Sequence, residues 1–338
     1  MACEIGPRIM CDSPAEGVRA SKKDLTLVAD LLQSVDPETA GNPCSDEKWV
    51  RSRLRGLSEK LNHRACPTTI GRLLREQKYG LRSHHKVLHT GKTHAERDQQ
   101  FRYIAAQRED FRSSGEPRIS VDTKKKELVG QFKNNGQTWC QEGEKVNDHD
   151  FPSDALGRAA PYGVYDPERH EGHVCVTTSS DTADLAVDAV RDWWRHNQPH
   201  YPQAKRLMIE ADSGGSNAAR ARRYKKGLQD YADETGLEIT VCHYPPGTSK
   251  WNPIEHRLFS QITATWAGHV LSSVLILVGF IRRTTTKTGL KVTATYFEQT
   301  YLTGLTVSKA EFKNIQLTRH DVCPQWNYTI RPHPENTE

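Results

Sequence analysis

Apolar residues recur at helical spacing in the first third of the chain and in short alternating or continuous runs in the middle. In "KDLTLVADLLQSV" (23–35), Leu25, Val28, Leu31 and Leu32 share one helical stripe, which "DPETAGNP" (36–43) ends. "RSRLRGLSEKLN" (51–62) places Leu54, Leu57 and Leu61 on one face. After "HRACP", the run "TTIGRLLREQKYG" (68–80) places Ile70, Leu73 and Leu74 on a second stripe, closed by Gly80. Two short helices across a tight turn make a helix-turn-helix candidate at 46–90, with Thr68, Thr69, Arg72 and Arg75 outward; a plain helical hairpin with a solvated basic face fits too. Residues 1–22 have no period and read as a loose tail. Residues 82–100 read as a polar stretch entering a linker helix within 91–116.

From Pro117 the pattern changes. "RISVD" (118–122), "YGVYD" (162–166), "GHVCVTT" (172–178), "RLMIEAD" (206–212) and "LEITVCHY" (237–244) read as strands, the second and third as a hairpin. "DTADLAVDAVRDWWRHN" (181–197) reads as a helix with Ala186, Val190 and Trp193 inward. "NAARARRYKKGLQDYADETG" (217–236) reads as another, with Tyr224, Leu228 and Tyr231 inward and Gly236 as its stop. This order predicts an α/β fold, a mixed sheet flanked by helices, with 127–160 inserted between the first two strands. The run "VLSSVLILVGFI" (270–281) is too short to span a bilayer and reads as a buried helix or strand.

Charge adds a division of labour. The net charge is +5, yet residues 47–86 hold eleven Lys and Arg against three Glu, an excess of +8 that leaves −3 elsewhere. A basic module beside a slightly acidic body suggests a polyanion-binding part and a part with another task. The eight cysteines include no C-x-x-C pair, so scattered buried thiols of a cytoplasmic protein fit better than a zinc site. No signal peptide is visible, and no membrane partner is expected.

Three carboxylates carry the candidate chemistry. Asp122 and Asp212 end predicted strands, where sites form in open sheets, and Glu255 lies in the first turn of a predicted helix in "PPGTSKWNPIEHR" (245–257). Adjacent parallel strands, about 5 Å apart, would put both aspartates in reach of one ion. Carboxylate oxygens favour Mg²⁺ or Mn²⁺, and two such ions about 4 Å apart suit phosphodiester chemistry. Each residue also has an ordinary reading. Asp122 could sit in a turn, Asp212 could form an Asx-turn before Ser213, and Asn252, Pro253 and Glu255 together make a capping box.

Several blocks resemble the DDE transposases of bacterial insertion sequences, in the Rhodopirellula-type (ISAzo group) branch. They are "ISVDTKKKELVGQFKNNGQTW", "VNDHDFPSDALGRAAPYGVYD", "EADSGGSN", "ADETGLEITVCHYPPGTSKWNPIEHRLFS" and "TTTKTGL", within a resemblance running from about Lys23 to "WNYTI" (326–330). The resemblance implies an RNase H-like domain at 117–270 and a C-terminal extension at 271–338. It also carries the metal triad over as Asp122, Asp212 and Glu255. It implies strand cleavage and strand transfer with two Mg²⁺ or Mn²⁺ ions on double-stranded DNA, the element's ends and the target, by a homodimer or larger assembly at the bacterial nucleoid. Lys124, Arg222, Arg223 and Lys226, with Arg220 and Lys225 nearby, are candidate phosphate contacts. Asn217, His243 and His256 are weaker candidates for orienting DNA or water. Relatives of this kind carry a further helix-turn-helix segment before the part matching 23–45, where residues 1–20 match nothing. The expectation is a shortened copy, so a non-catalytic DNA-binding protein occupying element ends is the rival, and a ribonuclease on the same fold is a third reading.

Overall fold

The stripe of the first helix is rotated from the expected one. In the computed structural model, which describes residues 24, 26–35, 39–41, 48–50, 53–79, 95–138 and 140–334, helix α1 (Leu27–Val35) buries Leu27, Leu31 and Val35 and leaves Leu32 36% exposed. The chain divides into two compact units, Met1–Leu88 and His89–Glu338. The first continues with an antiparallel pair, β1 (Thr39–Gly41) and β2 (Lys48–Val50), then α2 (Leu54–Lys60) and α3 (Pro67–Glu76). Pro67 begins α3, where its missing N–H costs nothing. The turn before it uses left-handed Asn62 and His63. Leu57, Leu61, Ala65, Ile70 and Leu73 complete a small core with α1. Leu54, expected in that core, is 39% exposed. The loose tail of 1–22, Gly80 and the stretch 80–94 lie outside the described residues.

In the second unit, α4 (Arg97–Ser113) was expected as a linker but is docked on a sheet. Its Ile104 and Phe111 pack on Met208, Cys242 and Tyr244. Its Arg108 donates to the fully buried Glu210 at 2.8 and 2.5 Å, and Arg118 donates to the same carboxylate at 2.9 Å. Burial alone would raise the Glu210 pKa, but the two guanidiniums win and hold it below the usual range.

The strands are β3 (Arg118–Thr123), β4 (Glu127–Val129), β5 (Gly157–Asp166), β6 (Glu171–Thr177), β7 (Arg206–Ala211), β8 (Glu238–His243), β9 (Lys291–Phe297), β10 (Leu317–Arg319) and β11 (Asn327–Ile330). Among the described residues they form one sheet in the order β10-β11-β8-β7-β3-β5-β6-β9, with β4 paired to the start of β5. β3, β7 and β8 run parallel, and β5 and β11 run against their neighbours. The expected insertion therefore shrinks to 130–156, since β4 and the first residues of β5 pair with each other. The expected C-terminal extension is part of the sheet: β9 extends one edge beside β6, and β10 and β11 extend the other beside β8.

Helices α5 (Ala183–Asn197) and α6 (Arg222–Thr235) cover one face, burying Ala186, Val190, Trp193, Tyr224, Leu228 and Tyr231. Thr182 caps α5 by accepting from the Leu185 N–H at 3.3 Å. Left-handed Gly236 ends α6. The helix expected from 217 starts only at Arg222, because Gly215–Asn217 make a separate 3₁₀ turn led by left-handed Gly215.

On the other face, a π-helical turn (Glu255–Phe259) continues as α7 (Ser260–Thr265), followed by α8 (Val274–Arg282). The apolar run of 270–281 is thus a helix, and no described helix is long and apolar enough to cross a membrane. The last helix is α9 (Lys309–Lys313). Two glycines let the π-turn approach the sheet. A Cβ at Gly163 would lie 2.6 Å from a Phe259 ring carbon and 2.8 Å from Ile254 Cδ1, and one at Gly172 would lie 2.5 Å from Leu258 Cδ1.

Gly163 is the cross-strand neighbour of Asp122. Gly163→Ala should therefore cost about 1–3 kcal/mol by overpacking. Urea denaturation checks this; an unchanged stability would show that the helix does not need the close approach.

Candidate metal centre

The parity of two strands places the aspartates. On β3, Ile119 and Val121 point into the core under α5 and α6, so Ser120 and Asp122 take the opposite face. On β7, Leu207, Ile209 and Ala211 point the same way, which sends Glu210 and Asp212 to that opposite face as well. The register pairs Val121 with Ala211, so Asp122 and Asp212 stand one residue further along neighbouring parallel strands. This is the arrangement expected for these two residues.

Glu255 opens the π-turn, and the capping box read there as its ordinary role does not form. Asn252 is fully buried, and its side chain turns inward instead of capping. Its Nδ2 donates to the Val121 carbonyl at 3.2 Å and to Asp212 Oδ1 at 3.1 Å, while its Oδ1 accepts from the Ser120 hydroxyl. Ser120 in turn accepts from the Ile254 N–H at 3.2 Å, so a strand residue caps the helix from across the interface. The local motif loses because Asn252 has three deeper partners on offer. Glu255 is half-buried, and its carboxylate has no hydrogen-bond or ion-pair partner among the described residues.

Electrostatically the site is short of positive charge. Burial, followed by the charge of Asp212, pushes Asp122 up to about 8, against the Thr123 N–H that donates to its Oδ1 at 2.7 Å; Glu255 and Asp181 add to the rise. Asp212 is raised by burial, opposed by the Asn252 hydrogen bond and reinforced by Glu255. A divalent cation would offset this crowding of negative charge, and the donors are oxygen only, which suits Mg²⁺ or Mn²⁺. The carboxylates of Asp122, Asp212 and Glu255 do not all lie within 4.8 Å of one another. Among the described residues, His173, Cys175 and Asp192 meet that spacing. There His173 binds Asp192 at 2.8 Å and Thr293 at 2.8 Å, so hydrogen bonding already satisfies the cluster.

A cleft of about 430 Å³ opens beside the aspartates, walled by Asp122, Thr123, Asp181, Asp212 and Asn217. Asp181 escaped the sequence reading. The signal was faint: an Asp directly before the Thr182 cap of α5.

The other candidates divide by what holds them. Lys124, expected to touch DNA, is buried; its Nζ binds Glu127 at 2.7 Å and lies 4.5 Å from the Trp266 ring centroid. Lys225 is buried too, and desolvation pushes it down to about 8. Arg223 pairs with Asp184 at 2.7 Å and Lys226 pairs with Asp230. Arg220 and Arg222 are exposed, Arg222 lying over Phe312. His243 is buried, pushed down to about 4 by desolvation and therefore neutral; its Nδ1 meets the Asp212 carbonyl at 2.9 Å. His256 is exposed and bound to the Lys250 carbonyl. In the first unit Thr68 and Arg75 are exposed, Thr69 is half-buried, and Arg72 pairs with Glu76 at 2.6 Å. The cysteines described are free thiols, of which Cys175, Cys242 and Cys323 are buried.

The family described as Rhodopirellula transposase DDE domain matches residues 30–332. No curated protein matches the chain. Among solved structures, the Mos1 transposase paired-end complex with left transposon end is similar at 11% identity and TM-score 0.43, covering 80% of this chain and 73% of that one. The Mos1 mariner paired-end complexes with Mn and with Mg are similar at 14% and 12% identity and TM-scores of 0.42 and 0.43. Each covers 81% of this chain, with 73% and 74% of the other. The family match spans most of the sequence, and the chain belongs to that family.

Two measurements probe this geometry. In cation-free buffer, stability should fall as pH rises from about 4 toward 8. The unfolded chain has released the Asp122 proton in that window while the native site, with its pKa near 8, retains it. Asp122→Asn should remove that part of the slope in a pH series of chemical denaturation, and an identical slope would refute the assignment. Asn252→Ala strips Asp212 and Ser120 of a partner. It should cost about 1–3 kcal/mol and lower Mn²⁺ affinity by about 10–100-fold; a calorimetric titration like the parent's would refute its positioning role.

Proposed function

We propose that this member of the family is a working DNA transposase that cuts and joins DNA at an RNase H-like catalytic domain. The observation that carries the reading is the pairing of Asp122 and Asp212 at the ends of adjacent parallel strands, with unpartnered Glu255 set against them through Asn252. Asp122, Asp212 and Glu255 would hold Mg²⁺ or Mn²⁺, two ions being expected. When bound, these ions supply an activated water or 3′-hydroxyl and offset charge on the leaving oxygen.

The chain's own residues supply position. Asp122 gives up its proton when the site is loaded. Asn252 keeps one oxygen of Asp212 fixed, and neutral His243 supports the backbone of Asp212 without adding charge. The first unit contributes affinity for double-stranded DNA, with α2 and α3 as the helix-turn-helix and Thr68, Thr69, Arg72 and Arg75 on its outer face. Arg222, Arg223 and Lys226 on α6 are the second candidate track for phosphates; Lys124 is held too deeply to join it. Element ends and target DNA are the proposed substrates, and joining two ends calls for a dimer or larger assembly.

The test is Mn²⁺-dependent nicking of a duplex carrying the genomic repeats that flank the gene. The parent should nick it, while Glu255→Gln and Asp212→Asn should bind DNA normally and cut nothing. Nicking by Glu255→Gln at the parent's rate removes the metal role. A parent that binds the duplex and never nicks it is the non-catalytic copy. For the first unit, Arg72→Ala with Arg75→Ala should reduce the slope of log affinity against log salt by about 2 if both meet phosphates. An unchanged slope moves the DNA contact elsewhere, to α6.

A further inference from the structure

Thr123 holds two acidic side chains at once. Its N–H donates to Asp122 Oδ1 at 2.7 Å, and its hydroxyl donates to Asp181 Oδ1 at 3.1 Å. The second oxygen of each carboxylate has no hydrogen-bond partner among the described residues, and both side chains wall the same cleft. Asp181 also acts electrostatically on Asp122, which places the two in one field. An acidic cluster alone says little, but the same cleft contains an independent sign of a ligand. Asn217 is 1% exposed, and its Nδ2 is buried without any partner. Leaving such a donor unmet costs about 1–3 kcal/mol; unlike the core tyrosine hydroxyls that also lack a partner, this one belongs to a residue lining the cleft, where an acceptor can arrive from outside. Lys125 and Lys126 are exposed on the rim of this cleft, a setting that draws an anion toward it.

We propose that Asp181 is a fourth carboxylate of the cation site, aligned with Asp122 by Thr123, and that the amide of Asn217 receives a phosphate oxygen of the DNA held there. The inference rests on the reading of Asp122, Asp212 and Glu255 as cation ligands and extends it to the far wall of the cleft. Asp181 would add a carboxylate oxygen to the site from the Thr123 side of the cleft. Thr123 acts as a positioning residue: it fixes one oxygen of each carboxylate and leaves the other to the cation. Asn217 touches substrate, donating from a wall that it shares with Asp122, Asp181 and Asp212.

The experiment counts Mn²⁺ bound by the full chain without DNA, by electron paramagnetic resonance titration. It also follows the broadening of the ³¹P signal of inorganic phosphate by the bound Mn²⁺. The parent should bind two Mn²⁺ per chain and broaden phosphate. Asp181→Asn should keep one site and weaken the other by about tenfold or more. Thr123→Val keeps the N–H to Asp122 and loses the hydroxyl to Asp181, so it should weaken the same site by less. Asn217→Ala should keep both ions and lose the phosphate broadening. Melting curves of each cation-free variant control for folding, and Asp181→Asn should melt no lower than the parent because it removes a like charge. Two undiminished sites in Asp181→Asn and Thr123→Val overturn the fourth carboxylate, and phosphate broadening by Asn217→Ala overturns the donor. A parent that binds no Mn²⁺, as Asp122→Asn does, sinks the underlying cation reading instead.

Discussion

One buried amide joins the three segments on which the site depends. Asn252 holds the backbone of β3 through Val121, the side chain of Ser120 on the same strand, and the carboxylate of Asp212 beyond β7. It lies three residues before Glu255. Moving the amide would disturb the level of the strands, the rotamer of Asp212 and the entry of the π-turn together. Such a fully satisfied polar group in a core has one low-energy arrangement, and that arrangement is what sets the carboxylates against one another.

Around this point the fold gives up packing and tolerates like charges. The glycines at 163 and 172 give up side-chain packing so that Ile254, Leu258 and Phe259 can lie against the sheet. Asp122, Asp212 and Glu255 repel one another in a partly desolvated place, and the buried Lys124 beside them in sequence is committed to Glu127 and Trp266. The remainder of the unit offsets this cost. Glu210, one residue from the end of β7, is neutralised by two arginines, and α4 is pinned to the sheet by the same contact. One buried carboxylate is paired with arginines, and two residues later another has only the Asn252 amide as its side-chain partner.

Much of this was visible in the sequence, and the misses have physical causes. Strand-end aspartates and the helix beginning near Pro253 follow from local periodicity, but it was the resemblance to the transposase blocks that singled out Asp122, Asp212 and Glu255 as a triad. Asn252 was misjudged because its capping role is a local inference, and the partners that overrule it lie 131, 132 and 40 residues away. Asp181 was missed for the same reason: its tie to Thr123 crosses the sheet. Lys124 looked free because nothing nearby in sequence announces Trp266. The strands after residue 290 were taken for an extension, since edge strands are short and only their pairing with β6 and β8 reveals them. In the first unit, the stripe read through Val28, Leu31 and Leu32 was rotated, because tertiary packing against Leu57 and Ile70 chose a neighbouring face; Leu25, read on the same stripe, lies outside the described residues.

The central claim is that Asp122 and Asp212 share a divalent cation with Glu255. The most direct measurement is anomalous diffraction from crystals of the full chain soaked in Mn²⁺. The account predicts a strong peak between the Asp122 and Asp212 carboxylates, at about 2.0–2.3 Å from an oxygen of each, with Glu255 drawn in. Anomalous density at His173, Cys175 and Asp192 with none between the two aspartates would contradict it.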